Sequence, residues 1–256
     1  MTRRAGPTGV GAAAEQAWNE RALEHPVQTS AWRLWRYREP AVVLGCSQRR
    51  WLEAPAGARH PHEATEVTLR DGRSGVDSLE VVVRRSGGGA VLVGPWMLGL
   101  SAVLPVAHPL VAGGPVPSYR WLGEAVALAL RRIGIDAAAL TPQALRERRG
   151  DGTAACADWA CFGGLSPWEV LARGRKIAGL AQQRRRDGVL LVAGVLLQRP
   201  PWSLLCARLQ RPLVDEQRLA LASTDCTQEL SRAELPQLEN ALGQSLHAAL
   251  EEALAG

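Results

Sequence analysis

Between residues 167 and 198 the chain reads as three strands in immediate succession, 167–172, 176–185 and 189–198. Only three residues separate each pair, with the turns at Arg173-Gly174-Arg175 and Asp187-Gly188, too few for a crossover, so each strand runs antiparallel to the one before. A chain with this pattern has to build an antiparallel sheet. Earlier strand signals agree. Residues 31–37 alternate large apolar side chains with arginine, 41–45 form a short apolar run, and 79–84, 90–93 and 98–106 follow. Helical spacing appears at 11–24, with Ala14, Trp18 and Leu23 facing the core. It appears again at 118–133, with Trp121, Leu122, Ala125, Leu128 and Ala129 on one side and Gly134 as the stop. A closing helix is predicted over 231–254, with Ser231 as N-cap and Glu234 completing a capping box. Residues 54–77, 109–117 and 141–158 are polar or rich in turn formers and read as loops. Strands outnumber helices and hairpins join several of them, so the predicted class is α+β.

Lys176 follows the first of these turns. Among 30 lysines and arginines it is the one lysine. A guanidinium is a wide fork that stays charged, whereas an ammonium is a compact charge that approaches a single oxygen or sulfur and can lose its proton. Chance survival on a solvated face is the bland reading. Gly174 and Gly179 on either side argue for a chemical role, since they mark a tight turn or a backbone that another group approaches closely.

Two further features could share that chemistry. A free cysteine is usually a small core hydrophobe, but Cys161 lies in a glycine-bearing loop, Ala160-Cys161-Phe162-Gly163-Gly164. If that loop meets Lys176 at one end of the sheet, the lysine favours the thiolate and donates to an acyl carbonyl. Gly87-Gly88-Gly89 joins two strands and exposes N–H groups able to cradle a phosphate, carboxylate or acyl oxygen. A flexible hairpin turn explains three glycines about as well, and the adjacent Arg84 and Arg85 argue for an anion.

Composition narrows the class. The net charge of +5 suits an acidic partner, but the arginines are interleaved with acids rather than gathered into a nucleic-acid footprint. Five cysteines at irregular spacing do not make a disulfide framework. Cys156 and Cys161 lack a matching pair, and His60 and His62 lack a third ligand, so no metal is expected. No apolar h-region follows Met1 to Pro7, and no apolar run is long enough for a bilayer. The expected setting is cytoplasmic, without nucleic acid or membrane.

Three segments, in order, resemble one family. Trp35-Arg36-Tyr37-Arg38-Glu39-Pro40-Ala41-Val42-Val43-Leu44-Gly45-Cys46-Ser47-Gln48 is similar to the opening motif of the lipoate–protein ligase and octanoyltransferase superfamily. Arg84-Arg85-Ser86-Gly87-Gly88-Gly89-Ala90-Val91 resembles its acyl-binding glycine loop, and Gly174-Arg175-Lys176-Ile177-Ala178-Gly179-Leu180-Ala181-Gln182 its lysine motif. The resemblance covers roughly residues 11–200. It implies the biotin/lipoate protein ligase catalytic fold, a mixed, mainly antiparallel sheet flanked by helices. It also implies a catalytic domain over 11–211 and a helical tail, 212–256, packed on it. By the same resemblance Lys176 contacts the acyl carbonyl, while Arg84, Arg85, Ser86, Gly87, Gly88, Gly89, Ala90, Gly179 and Ala181 line the acyl site.

The family has two branches. ATP-dependent ligases make an acyl-adenylate, with ATP and Mg, and often carry an accessory domain. Octanoyltransferases need no cofactor and pass the acyl group through a cysteine thioester. Ala160-Cys161-Phe162 resembles the cysteine segment of the ligase-like octanoyltransferases, and the short tail leaves no room for a full accessory domain. The expected activity is therefore transfer of an octanoyl or lipoyl group from acyl carrier protein, or another acyl donor, through Cys161. The acceptor would be a lysine of a lipoyl domain in a dehydrogenase complex, or of the glycine cleavage H protein. Lys176 and the Gly87–Gly89 backbone would stabilise the oxyanion, and Arg184, Arg185 and Arg186 are candidates for docking acidic partners, or simply a solvated run. ATP-dependent ligation and a non-catalytic acyl or lipoyl-domain binder are the alternatives. Where the family commonly has histidines, this chain has Val93 and Ala193.

Overall fold

The computed structural model describes residues 9–53, 76, 79–150, 157–230 and 235–255. In chain order its elements are α1 (Ala12–Ala22), β1 (Ala31–Arg36), β2 (Ala41–Leu44), α2 (Arg50–Glu53), β3 (Glu80–Val83), β4 (Val91–Val93) and β5 (Met97–Leu104). Then come α3 (Pro109–Ala112), α4 (Pro115–Arg132), β6 (Ala137–Ala139), α5 (Pro142–Gly150), β7 (Val170–Ala172), β8 (Arg175–Arg185) and β9 (Gly188–Leu196). The chain closes with α6 (Trp202–Arg208), α7 (Leu213–Ala222), α8 (Cys226–Leu230) and α9 (Leu235–Ala255). Cys46–Gln48 and Cys161–Gly163 are single 3₁₀ turns.

Six strands form one sheet in the order β1-β5-β9-β8-β7-β6, every neighbouring pair antiparallel. Three more form a small sheet, β3-β2-β4, in which β2 runs parallel to β3 and antiparallel to β4. The result is the mixed, mainly antiparallel α+β architecture expected. The β7–β8 hairpin turns on Arg173 (φ 46°) and Gly174 (φ 79°). Two consecutive positive φ values suit a type I′ turn, whose twist matches that of the strands.

Period-2 patterning divides the main sheet into two faces. Leu98, Leu100, Ala102 and Leu104 of β5, with Leu191 and Val195 of β9, join the large core under α4 and α9. α4 contributes Leu122, Val126 and Leu130, and α9 contributes Leu238, Leu242, Leu246 and Leu250, each at helical spacing. Full burial of each such leucine stabilises the fold by roughly 1.5–3 kcal/mol. The tail thus supplies part of the main core. The opposite face presents Gly99, Ser101 and Val103 from β5, with Trp35 Nε1 donating to Ser101 Oγ at 2.9 Å.

Several expectations need correction. α1 forms, but its buried face is Ala12, Glu15 and Asn19, while Ala14 is exposed. Glu15 goes inward because the Tyr37 hydroxyl donates to its carboxylate at 2.8 Å. α4 begins at Pro115 rather than Ser118, and residues 109–112 form α3; proline is tolerated in a first helical turn, where its missing N–H has no partner to lose. Residues 142–150 are helical rather than loop, opened by Pro142 and by Thr141 Oγ1 accepting from Ala144 N at 3.2 Å. The proposed cap of the last helix, Ser231 with Glu234, lies outside the described residues, as does the predicted loop carrying His60 and His62.

Candidate active site

Gly99, Gly194 and Gly179 are cross-strand partners on β5, β9 and β8, so three glycines lie side by side across the sheet. Other groups fill the space that their side chains would take. A β-carbon on Gly99 would stand 2.3 Å from the Tyr37 hydroxyl, one on Gly194 2.8 Å from Met97 Sδ, and one on Gly179 2.8 Å from Cys161 Sγ. Over this trough lies a cleft walled by Glu15, Asn19 and Glu20 of α1, by Val43, Val91 and Val93 of the small sheet, and by Arg84, Arg85 and Ser86. Met97, Cys161, Phe162, Gly179, Ala181, Leu190, Val192 and Ala193 are also among its lining residues. The interior is largely apolar, with polar groups along α1 and the arginine loop.

The turn holding Cys161 is tied down through its backbone. Cys161 N donates to Ala90 O at 2.7 Å, and Ala90 N donates to Trp159 O at 2.9 Å, which welds the end of the glycine loop to the cysteine loop. Gly89 permits that approach, since a β-carbon there would lie 2.7 Å from Trp159 O. Phe162 is buried with its ring 5.8 Å from that of Trp202, so the side chain after the cysteine anchors the turn in the second core cluster.

Cys161 is partly exposed to the cleft. Burial pushes the Cys206 thiol up to about 12 and the Cys226 thiol higher still, which leaves both inert as nucleophiles. Cys46 is exposed but does not line the cleft.

Lys176 is 1 % exposed. Its ammonium donates to Cys161 O at 2.5 Å, to Gly164 O at 3.1 Å and to Glu169 Oε1 at 2.6 Å, engaging three acceptors for three protons. The same virtual β-carbon on Gly179 that meets the sulfur would lie 3.7 Å from Lys176 Nζ, so thiol and amine border one glycine. Lys176 nevertheless is not part of the cleft lining. Burial raises the Glu169 carboxyl above its ordinary value, and the Lys176 charge pulls it back.

Arg84 is held inside the loop that it introduces. Its guanidinium donates to Gly87 O at 2.9 Å, Gly89 O at 2.8 Å and Val43 O at 3.3 Å. Burial depresses its ionisation, opposed first by the Cys161 sulfur and then by the Glu15 carboxylate. Arg84 thus shapes the glycine loop and supplies a buried positive charge that interacts with the thiol. Gly88 adopts φ 94°, available to glycine at little cost.

Of the residues singled out in the sequence, the cleft gathers Arg84, Arg85, Ser86, Cys161, Gly179 and Ala181. Gly87, Gly88, Gly89 and Ala90 stand behind it, against Arg84 and the cysteine turn, and Lys176 stands beneath. Arg85 is at the rim, paired with Glu20 at 2.9 Å. Arg184 donates to Ser118 Oγ and Val111 O, and Arg185 to Leu23 O, so these two brace the fold. Val93 and Ala193 both line the cleft and present apolar groups to it. Among the described residues no cluster of His, Cys, Asp or Glu is arranged to hold a metal ion, and no helix is long and apolar enough to cross a membrane.

Sequence reasoning missed Glu169, Glu15 and Tyr37. For Glu169 a signal existed: a buried lysine requires an acid, and this one lies just across the hairpin. Burial raises both the Glu15 carboxyl and the Tyr37 hydroxyl, and nothing in the local pattern of α1 marks Glu15 as an inward residue.

One prediction follows from Gly179. Gly179→Ala is expected to leave the fold intact, because the atom most in its way is a rotatable sulfur and the next, Lys176 Cε at 3.3 Å, need give by only a few tenths of an ångström, yet to displace that sulfur. The rate of any covalent chemistry at Cys161 should fall by up to about 100-fold, the cost of roughly 1 Å of misplacement. Single-turnover kinetics beside a melting curve separate the two effects.

Residues 12–203 match the lipoyl protein ligase A/B catalytic domain model. Octanoyltransferase LipM of Kyrpidia tusciae is 33% identical over 122 residues, 48% of this chain and 43% of that protein. Octanoyltransferase LipM of Bacillus subtilis is 30% identical over 115 residues, 45% of this chain and 40% of that protein. The chain thus spans about two fifths of the length of these curated relatives. Lipoate-protein ligase A bound with ATP superposes with TM-score 0.60 at 19% identity, covering 98% of this chain and 86% of that one. A chain from the structural analysis of a bi-partite lipoate protein ligase and its E2 lipoyl domain from Thermoplasma acidophilum gives a TM-score of 0.57 at 17% identity, covering 93% of this chain and 77% of that one. At such identities these two likenesses speak to the fold.

Proposed function

The chain belongs to the lipoyl protein ligase A/B catalytic domain family, and from that premise we propose that it is an octanoyltransferase of protein lipoylation working through Cys161. The carrying observation is a partly exposed thiol seated over Gly179, beside the buried ammonium of Lys176, at an apolar cleft. The relatives named octanoyltransferase LipM support the same reading.

In the proposed reaction the Cys161 thiolate attacks the carbonyl carbon of a thioester-bound octanoyl group on an acyl carrier protein. The carrier leaves as a thiol, and the acyl group stays as a Cys161 thioester with its chain along the cleft. An acceptor lysine of a lipoyl domain then attacks as a free amine, an amide forms, and the cysteine thiol is restored with the proton that the amine loses. Arg84, whose guanidinium interacts with the Cys161 sulfur, supplies positive charge beside the attacking group. Oxyanion stabilisation falls to Lys176 if one of its donors turns from a loop carbonyl to the acyl oxygen. The transfer needs no cofactor; ATP and Mg belong to the ligase alternative. We also assign the acyl site to the unit 11–211, with residues 212–256 packed on it, in a cytoplasmic setting.

Incubation with octanoyl carrier protein, followed by intact-mass analysis, tests the reading. One octanoyl adduct, removed by hydroxylamine and passed on to a lipoyl domain, is expected. ATP–pyrophosphate exchange stimulated by octanoate, with no adduct, would replace transfer by ligation. Neither signal would leave a binding protein.

A further inference from the structure

We propose that Glu169 is a positioning residue for acyl transfer, fixing the ammonium of Lys176 and, with it, the turn that carries the Cys161 thiol. The inference rests on the transfer reading for its consequence in catalysis, but its geometry stands apart from any substrate. Both carboxylate oxygens are in use. Oε1 accepts from Lys176 Nζ at 2.6 Å and Oε2 from Ser166 N at 2.7 Å. Lys176 in turn holds Cys161 O and Gly164 O. The segment from Cys161 to Ser166 is therefore held at three points by one buried ion pair whose side chains are 2% and 3% exposed.

The backbone is bent to place this acid. Trp168 adopts φ 68°, a conformation that costs a non-glycine residue on the order of 1–3 kcal/mol. Its carbonyl is wedged against α4 where only Gly123 fits, since a β-carbon there would lie 2.2 Å from Trp168 O. Trp168 N also donates to Leu140 O at 2.6 Å. These contacts hold the strained residue in place, and Glu169 follows it directly.

A carboxylate is the group that this position requires. Glutamine offers one oxygen and one N–H₂, so one of two donors, the ammonium or Ser166 N–H, would face another donor. Its neutrality also leaves the ammonium with two loop carbonyls and the Phe162 ring 5.4 Å away but no counter-charge, and burial without a counter-charge disfavours the charged form. A neutral amine would then present a lone pair to a loop carbonyl and release the turn.

Other ionisable groups surround the pair from every side. The Cys161 thiol and Asp158 belong to the turn, with Asp158 packed at Gly164. Tyr119 comes from α4, and Arg84 interacts with Cys161. Beyond Thr224, Asp225 is engaged by Thr227 and Gln228, and Glu229 by Arg173 and Arg175. None of these takes the place of Glu169 at Lys176 Nζ.

The test follows two rates across pH on the full chain: octanoyl transfer to a lipoyl domain, and alkylation of Cys161 by iodoacetamide, read on its own peptide by mass. For Glu169→Gln the deficit relative to the native protein should widen as pH rises, to about 100-fold, the scale of roughly 1 Å of misplacement at the reacting atoms once the turn is released. Glu169→Asp keeps the charge, so it should lower both rates without changing the shape of the profile. A Glu169→Gln deficit that is constant across pH, or absent, would overturn the proposal. If that variant does not fold, unchanged alkylation in Glu169→Asp does so instead. Alkylation needs no acyl donor, so a native chain that refuses octanoyl while its glutamine variant still shows the widening deficit would sink the transfer reading and keep the positioning role.

Discussion

Cys161→Ser is expected to lower octanoyl transfer by about four to six orders of magnitude, the scale seen when an attacking group is lost from a covalent mechanism. Serine fits the site: Sγ rests in the space left by Gly179, and an oxygen is smaller than a sulfur. Stability should move by less than about 1 kcal/mol. The loss is chemical. A hydroxyl needs a base to become a nucleophile, and no histidine among the described residues lines the cleft, where Val93 and Ala193 occupy wall positions. Arg84 favours an anion by its charge but accepts no proton. Hydroxylamine-sensitive acylation should vanish with the rate, and intact mass reads both. Transfer that persists within about tenfold of native would mean that the acyl group reaches its acceptor without stopping on this residue.

The largest structural effect is expected at Lys176. Lys176→Met preserves much of the side-chain volume but leaves Glu169 buried without its counter-charge, at a cost of about 3–5 kcal/mol. Two loop carbonyls, Cys161 O and Gly164 O, lose a donor at the same time. The penalty depends on pH in a definite direction. Burial already raises the Glu169 carboxyl, with Lys176 pulling against it. Without the lysine the folded protein holds that proton more tightly than the unfolded chain does. Stability in the variant is then fullest below the carboxyl's unfolded value and is lost as pH rises through the raised folded value. Urea unfolding at about pH 5 and about pH 8 should show the larger deficit at the higher pH, and a deficit equal at both would refute the ion pair as its source.

How much of this was legible in the residues depends on what each signal measures. Turn chemistry and period-2 patterning are local, and they placed the ends of β8 and β9 within two residues of where they lie. The proximity of Cys161 and Lys176 was legible for the same reason, since a short hairpin leaves a strand few places to go. α3 and α5 were hidden because proline and polar residues mark loops and helix starts alike. The inward face of α1 was misread because Glu15 is buried by a tertiary partner, Tyr37, that no helical periodicity reports. Likewise Arg84 looked like an anion receptor, whereas carbonyls folded back from Gly87 and Gly89 claim its guanidinium. Charge is visible in a sequence, but what saturates it depends on distant backbone.

Apart from Lys176, each of the 30 lysines and arginines is a guanidinium, and Lys176 is sealed from solvent. On the proposed transfer reaction, an activated acyl group at this cleft would consequently find no accessible side-chain amine on its own protein to which it could be lost, so composition as well as shape would suppress self-modification. The same scarcity has a practical use: succinimidyl-ester labelling at an internal position can report only on Lys176, and its rate becomes a clock for the opening of the cysteine turn.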